Sequence, residues 1–363
     1  MIRALVVNAS IDVTEANRSV EWYNLGARKL ADWWRSLGYD VTESPGDPGM
    51  FINGYDLVGV SAIFSWHAPK AAACVNRAQE SGAEVWVGGT AFSDRWLREW
   101  FVEQTGLEPV YKPDDRFDKQ RAARQYVYAV RGCEGERLEN GSHRACHGCP
   151  VPIIEGTTYL LDPKFIPAPN LLDNNLSGMP VHYQDHIIKR YAETGTKLID
   201  AKSGFEPGHF DAESYARWKP VIKGPWRWGF DRIDEEKNAS GMAALLTDVP
   251  ARRKQVYALC GHEPIEVCYE RARKVYEWGC EPWVQYMIPL CALDRKDVSK
   301  WLNPKEHPEF GWSPALGKAF SRYFNARKIS RNVPIWEYIH WRNAPPPFAS
   351  LKPKTISIAL KGA

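Results

Sequence analysis

Apolar residues fall along this chain in two alternating patterns. Short continuous runs, Arg3–Ala9, Leu57–Phe64 and Glu84–Val87, predict buried strands. Between them, apolar side chains recur at three- and four-residue steps. Over Ser19–Leu37 the stripe is Tyr23, Ala27, Leu30, Trp34 and Leu37, which predicts an amphipathic helix. Pro69–Ser81 repeats the helical pattern and stops at Gly82, while Tyr39–Glu43 adds a strand. This alternation predicts a parallel sheet covered by helices over residues 1–111, a Rossmann-like domain. Gly88-Gly89 closes its last strand. Such a pair lets the backbone approach a phosphate or makes a plain tight turn, and no G-x-G-x-x-G occurs in this half to favour the first.

Residues 112–124, KPDDRFDKQRAAR, are polar throughout and predict a linker. The alternation then restarts. Strands are predicted at Tyr126–Val130, Asn170–Leu172, Lys197–Ala201, Trp226–Phe230, Gln255–Cys260 and Pro282–Ile288. Helices are predicted at Val181–Thr194, Ala212–Trp218, Glu235–Leu246 and Pro264–Trp278. Six such units over 125–300 predict a partial (β/α)6 barrel of the TIM type, whose chemistry gathers at the C-terminal strand ends. Residues 301–363 break the rhythm with prolines and aromatics, including Trp301, Trp312, Trp336 and Trp341. They predict a cap with one helix, Ser313–Lys328. The fold class is therefore α/β: a Rossmann-like domain, a partial barrel and a C-terminal cap.

Composition narrows the picture. Of 363 residues 44% are hydrophobic and 25% charged, as in a globular protein. The formal net charge of +3 is too small to demand a nucleic-acid partner. No apolar run is long enough to span a bilayer, and MIRALVVNAS reads as a first strand rather than a signal peptide. A cytoplasmic protein without a membrane partner is expected. Sixteen tryptophans must mostly be core, with some left to line a pocket or stack on bases. Of eight cysteines, Cys74, Cys260, Cys268, Cys280 and Cys291 stand singly in apolar patterns and are expected as buried small hydrophobes.

The other three, Cys133, Cys146 and Cys149, read C-x12-C-x2-C just after the strand-like run Gln125–Arg131. Three thiols at a strand end can hold an iron–sulfur cluster with one iron left open for chemistry. They can equally hold zinc, with His143 or His147 as a fourth ligand, because C-x2-C is also a zinc spacing. The position after the first barrel strand favours the cluster.

The order of strand, cysteine loop, Glu155-Gly156, PNLLDNN, Gly204-Phe205, RWGFD, VYALCG and PWVQYMIPL resembles radical S-adenosylmethionine enzymes. More narrowly, it resembles those whose radical domain follows a cobalamin-binding-like Rossmann domain, and the likeness covers roughly residues 1–330. The resemblance implies a [4Fe–4S] cluster on the three cysteines and S-adenosylmethionine on its open iron. It implies an external electron donor of the flavodoxin or ferredoxin kind. The substrate would be a small metabolite or a nucleobase or nucleotide in nucleic acid. Two departures stand out. The family motif is C-x3-C-x2-C, whereas here Glu134–Ala145 intervene, and Gly148 replaces the aromatic that usually precedes the last cysteine. A flexible loop is expected to return Cys133 to the cluster, since closure cost grows slowly with length. The cobalamin motif D-x-H-x-x-G is missing from residues 1–110, where His67 is isolated, so cobalamin is not expected. A zinc-stabilised binding protein, or a degenerate member that binds nucleotide without turnover, are the alternatives.

Asp173, Asn174 and Asn175 end the second barrel strand. They either hold the cofactor's ribose hydroxyls or amino group, or form an Asx turn that caps a helix. Ser203 ends the third strand, where the resemblance makes it a cofactor contact and a turn hydroxyl is the alternative. Arg227, on the fourth, either pairs with the cofactor carboxylate or makes a wall ion pair with Asp231 or Glu235. Glu155 reads as a helix or loop anchor rather than a catalytic acid. Lys164, His182, Lys202, His209 and His262 fall near strand ends, and none is singled out as a catalytic base.

Overall fold

Alternate residues of the first strand, β1 (Arg3–Asn8), face opposite ways, as a strand's pleat requires. Ala4 and Val6 pack with Ala27, Leu30 and Trp34 on one side; Leu5 and Val7 pack with Val75, Leu97 and Phe101 on the other. Both faces of the sheet are thus covered. The coordinates are a computed structural model describing residues 1–10, 24–113, 125–138, 140–144, 146, 149–287, 296–297, 310–340 and 346–353. The described residues divide into two compact units. One holds Met1–Trp228, and the second holds Gly229–Met287 with the described residues after 304.

In the first unit β1 is followed by α1 (Leu25–Ser36), β2 (Asp40–Ser44), β3 (Leu57–Ser61), α2 (Ala68–Glu80), β4 (Glu84–Gly88) and α3 (Arg95–Thr105). The sheet is parallel, in the order β2-β1-β3-β4. Gly59 shows how close α1 lies: a Cβ there would meet Leu30 Cδ2 at 2.4 Å. Gly88 and Gly89 serve packing, since added Cβ atoms would meet the carbonyl oxygens of Val110 at 2.4 Å and Ala62 at 2.0 Å. That supports the tight turn over the phosphate approach. α3 is an addition to the expected elements. Asp94 caps its start by accepting from Leu97 N, and Gly106 ends it with φ +71°. His67 packs with Phe64 and Trp66, whose rings stack 4.5 Å apart.

The same unit continues with β5 (Tyr126–Val127), β6 (Val130–Arg131), β7 (Glu136–Arg137), β8 (His143–Arg144), the single helical turn α4 (Val151–Ile154), β9 (Leu160–Leu161) and β10 (Asn170–Leu171). After these come α5 (Val181–Thr194), β11 (Asp200–Ala201) and α6 (Ala212–Trp218), and β12 (Trp226–Gly229) leads out of it. β5, β10 and β11 pair in parallel, with parallel bridges Leu198↔Ile222 and Phe205↔Trp228 extending the series. β6 pairs antiparallel with β9, and β7 with β8. Phe205, Trp218 and Trp226 interlock, with Phe205 stacked on Trp226 at 5.2 Å. These tryptophans are core, as their number requires. Burying each is worth roughly 2–3 kcal/mol.

The second unit contains α7 (Glu236–Leu245), β13 (Lys254–Cys260), α8 (Ile265–Glu277), β14 (Glu281–Tyr286), α9 (Pro314–Asn325) and the short α10 (Arg327–Ser330). β13 and β14 are parallel, joined by the crossover helix α8. α9 packs on β14 through Phe320 and Phe324, in a core that Trp312 and Phe348 share. The expected helix Ser313–Lys328 thus breaks at Ala326. Arg271 is fully buried there, and its guanidinium donates to Phe230 O, Leu259 O and Glu263 Oε2 at 2.6–2.8 Å.

Among the described residues no helix is long and apolar enough to cross a membrane. Residues 114–124 of the expected linker lie outside the described residues, as do His147, Gly148, Cys291, Trp301 and Trp341.

Candidate metal centre

Among the described residues between Cys133 and Cys146 the chain pairs with itself as a β-hairpin, where its length had suggested a flexible loop. Glu136 opposes Arg144, and Arg137 opposes His143. Leu138 N donates to Ser142 O and Gly141 N to Leu138 O, each at 2.9 Å, closing the turn. Gly141 takes φ +80°, the conformation that Asn-Gly turns exploit. Of the twelve intervening positions nine, 136–144, lie from one paired foot, Glu136, to the other, Arg144. The three left over, Glu134, Gly135 and Ala145, give an effective C-x3-C-x2-C. The hairpin is docked through His143, whose ring stacks on His209 with centroids 5.2 Å apart and planes 9° from parallel. His143 also stands 3.5 Å from Glu134.

The three thiols are free, and they influence one another electrostatically. Cys149 N donates to Cys146 O at 3.1 Å, tying the backbones of the two cysteines together. Cys133 is buried and accepts from Gly135 N at 3.3 Å, with the Asn175 side chain beside its sulfur. The Tyr159 hydroxyl is buried against the same thiol and has no hydrogen-bond partner of good geometry among the described residues. Burial pushes all three thiols up, and Glu206 adds to the rise at Cys133 and Cys146. A nearby cation would oppose that rise by favouring the thiolates. A metal-based group would supply the missing positive charge and accept an O–H from Tyr159, so the donor set fits one. No three His, Cys, Asp or Glu side chains among the described residues are grouped to hold a single ion.

The strand ends behind the cysteines are tied by Glu155, whose side chain is 7% exposed. Its Oε1 accepts from Arg131 Nη1 at 2.8 Å, and its Oε2 from Gly132 N at 3.0 Å and Asn174 Nδ2 at 2.7 Å. The loop-anchor reading of Glu155 therefore describes its place. Asp173 is buried, with its two oxygens accepting from Ala129 N at 2.7 Å and Val130 N at 3.1 Å. Burial raises its carboxyl to about 7 against the pull of those N–H groups and of Arg131. Asn175 Oδ1 accepts from Gly178 N at 2.8 Å, an Asx-type turn, while its side chain borders Cys133. So Asp173 and Asn174 hold protein groups, and Asn175 alone of the three touches the cysteine site.

Ser203 is exposed at the end of β11. Arg227 pairs with Asp200, Nη2 to Oδ2 at 3.2 Å. Lys202 reaches the same carboxylate at 2.6 Å. Lys202 and Arg227 thus share one carboxylate beside β11 and β12. Glu206 and Tyr159 went unnoticed in the sequence. Ser177 fixes Glu206 by exchanging hydrogen bonds with its backbone N and O, each at 2.9 Å.

No protein-family model matches this chain, and no curated protein matches it.

Proposed function

We propose that this protein is a radical S-adenosylmethionine enzyme, with Cys133, Cys146 and Cys149 holding a [4Fe–4S] cluster. The carrying observation is the hairpin. It takes nine residues out of the path between the first two cysteines and restores the short spacing that three-thiolate cluster loops use. The bound cluster and cofactor together supply one-electron cleavage of a carbon–sulfur bond and a carbon radical that takes hydrogen from a substrate. An external donor of the flavodoxin or ferredoxin kind provides the electron.

The chain's own residues prepare the place. Glu155 and Asp173 fix the backbone at 129–132 that leads into Cys133. The planar guanidinium fork of Arg227, beside Asp200 and Lys202, suits the cofactor carboxylate. Asn175, next to Cys133, suits its amino group. The partial barrel is part of the proposal. It is supported by the parallel order of β5, β10 and β11, the bridges beyond them, and the parallel β13–β14 pair of the second unit. A small metabolite or a nucleobase is the substrate class.

Anaerobic reconstitution with iron and sulfide tests the reading. The expected result is a four-iron cluster and release of 5′-deoxyadenosine from S-adenosylmethionine under reduction. Protein that takes up one zinc and no iron, or a cluster that never cleaves the cofactor, would overturn it.

A further inference from the structure

Tyr159 stands just before β9. The antiparallel ladder that pairs Val130 with Leu161 and Arg131 with Leu160 brings it level with Gly132. The two stretches of backbone touch there. Cys133 N donates to Gly156 O at 3.3 Å, and a Cβ on Gly132 would meet Thr158 O at 2.0 Å. Gly132 takes φ +84°, which permits that approach. At the tip of the ring, a Cβ on Gly178 would come within 2.7 Å of the Tyr159 hydroxyl oxygen. The side chain is thus fixed at both ends, and the residue is only 7% exposed.

Its hydroxyl is buried without a hydrogen-bond partner among the described residues. Two groups flank it, the Cys133 thiol and the backbone N–H of Glu134. An N–H only donates, so of the two the sulfur alone can accept the phenolic proton. Gly135 N already donates to the same sulfur at 3.3 Å. A neutral thiol accepts weakly, whereas the thiolate that binds metal is charged and accepts strongly. A buried donor left uncommitted is unfavourable, and a thiolate at Cys133 relieves it.

We propose that Tyr159 is a positioning residue that acts through Cys133: its hydroxyl donates to the Cys133 thiolate of the [4Fe–4S] cluster and favours the reduced, more negative state. The inference rests on the reading of the centre as a cluster. A hydrogen bond to a ligand sulfur draws charge from it, and such bonds help set the potential of these clusters. Tyr159 therefore eases reduction by the external donor, and no competing bond within the described residues has to break first.

Redox titration of the reconstituted full chain, followed by electron paramagnetic resonance of the reduced cluster, tests it. Tyr159→Phe removes only the hydroxyl. At a given potential its ratio of reduced to oxidised cluster should fall about tenfold, a midpoint lower by about 59 mV for a one-electron couple. Urea unfolding of the metal-free protein is the second measurement. There the hydroxyl has no hydrogen bond to lose, so Tyr159→Phe should not lower the unfolding midpoint. Tyr191→Phe is the contrast. Tyr191 Oη donates to Ala168 O at 2.7 Å, so its loss should lower the unfolding midpoint and leave the potential where it was. An unchanged potential in a fully loaded Tyr159→Phe protein, or a fall in its metal-free unfolding midpoint, would refute the inference and leave the cluster in place. A parent chain that takes up no iron would refute the reading beneath it, and the inference with it.

Discussion

Arg144 and Glu136 face each other across the foot of the β7–β8 hairpin, Nε donating to Oε2 at 2.7 Å and Nη2 to Oε1 at 3.1 Å. This two-pronged pair, with Glu136 buried, holds the two legs together where the chain leaves for Cys133 and Cys146. Removing residues 136–144 as a block should therefore leave the thiols able to gather. We expect the shortened protein to keep most of its iron after anaerobic reconstitution, measured as iron per folded chain. A folded deletion variant that binds no iron would show that the hairpin itself supports the cluster.

Each of Cys133→Ala, Cys146→Ala and Cys149→Ala should lose most of the iron. Cys74→Ala should not, because Cys74 is buried in the first core and burial raises its thiol to about 12. Iron and sulfide analysis of the four variants separates ligands from packing residues.

Glu155→Ala leaves Arg131, Gly132 N and Asn174 without their shared acceptor. A broken, largely buried pair of this kind costs about 2–4 kcal/mol. The urea midpoint should fall accordingly, and iron loading should fall with it because Gly132 precedes Cys133. An unchanged midpoint would remove Glu155 from its place as anchor.

His209 is pushed down to about 4 by burial, with His143 and Arg137 adding to the effect. Its unfolded value is near 6.5, so between the two the unfolded chain binds the extra proton. Stability from this group is complete above about pH 6.5 and is lost as pH falls toward 4. Urea melts at pH 7 and pH 5 should show the loss. His209→Phe keeps a ring against His143 and should flatten that part of the profile.

Two glycines should respond oppositely to alanine. Gly88→Ala drives a Cβ into Val110 O at 2.4 Å and should cost about 2–3 kcal/mol. Gly241, exposed within α7, has nothing within 4 Å of the added carbon, and Gly241→Ala should stabilise by about 0.5–1 kcal/mol. Thermal melts of both variants check the pair.

Periodic burial was legible in the chain. The stripes at Val181–Thr194 and Ala212–Trp218 coincide with α5 and α6 to the residue, and the parallel order of the first sheet follows from its alternation. α3 escaped because Trp96 and Trp100, both partly buried, blur the stripe made by Leu97, Phe101 and Thr105, although its caps at Asp94 and Gly106 are ordinary signals. The hairpin escaped because its legs are charged rather than alternating; Asn140-Gly141 was the available clue. What surrounds the sulfurs was beyond reach. Asn175 was named from its strand end, but Tyr159 and Glu206 come from separate loops, and no local spacing foretells that the three converge. Arg227 illustrates the same limit: its partner Asp200 is a neighbour across strands, while Asp231 and Glu235 are neighbours along the chain.

A self-closing insert has consequences for how such chemistry is found and how it diversifies. Pattern searches that fix the gap between cysteines will pass over any chain that grows a ribbon inside its ligand loop. Evolution can lengthen, recolour or trim that ribbon freely as long as its foot stays pinched. The tip at Asn140–Ser142, exposed to water, is then a surface on which new contacts can be written without rewriting the metal-holding loop.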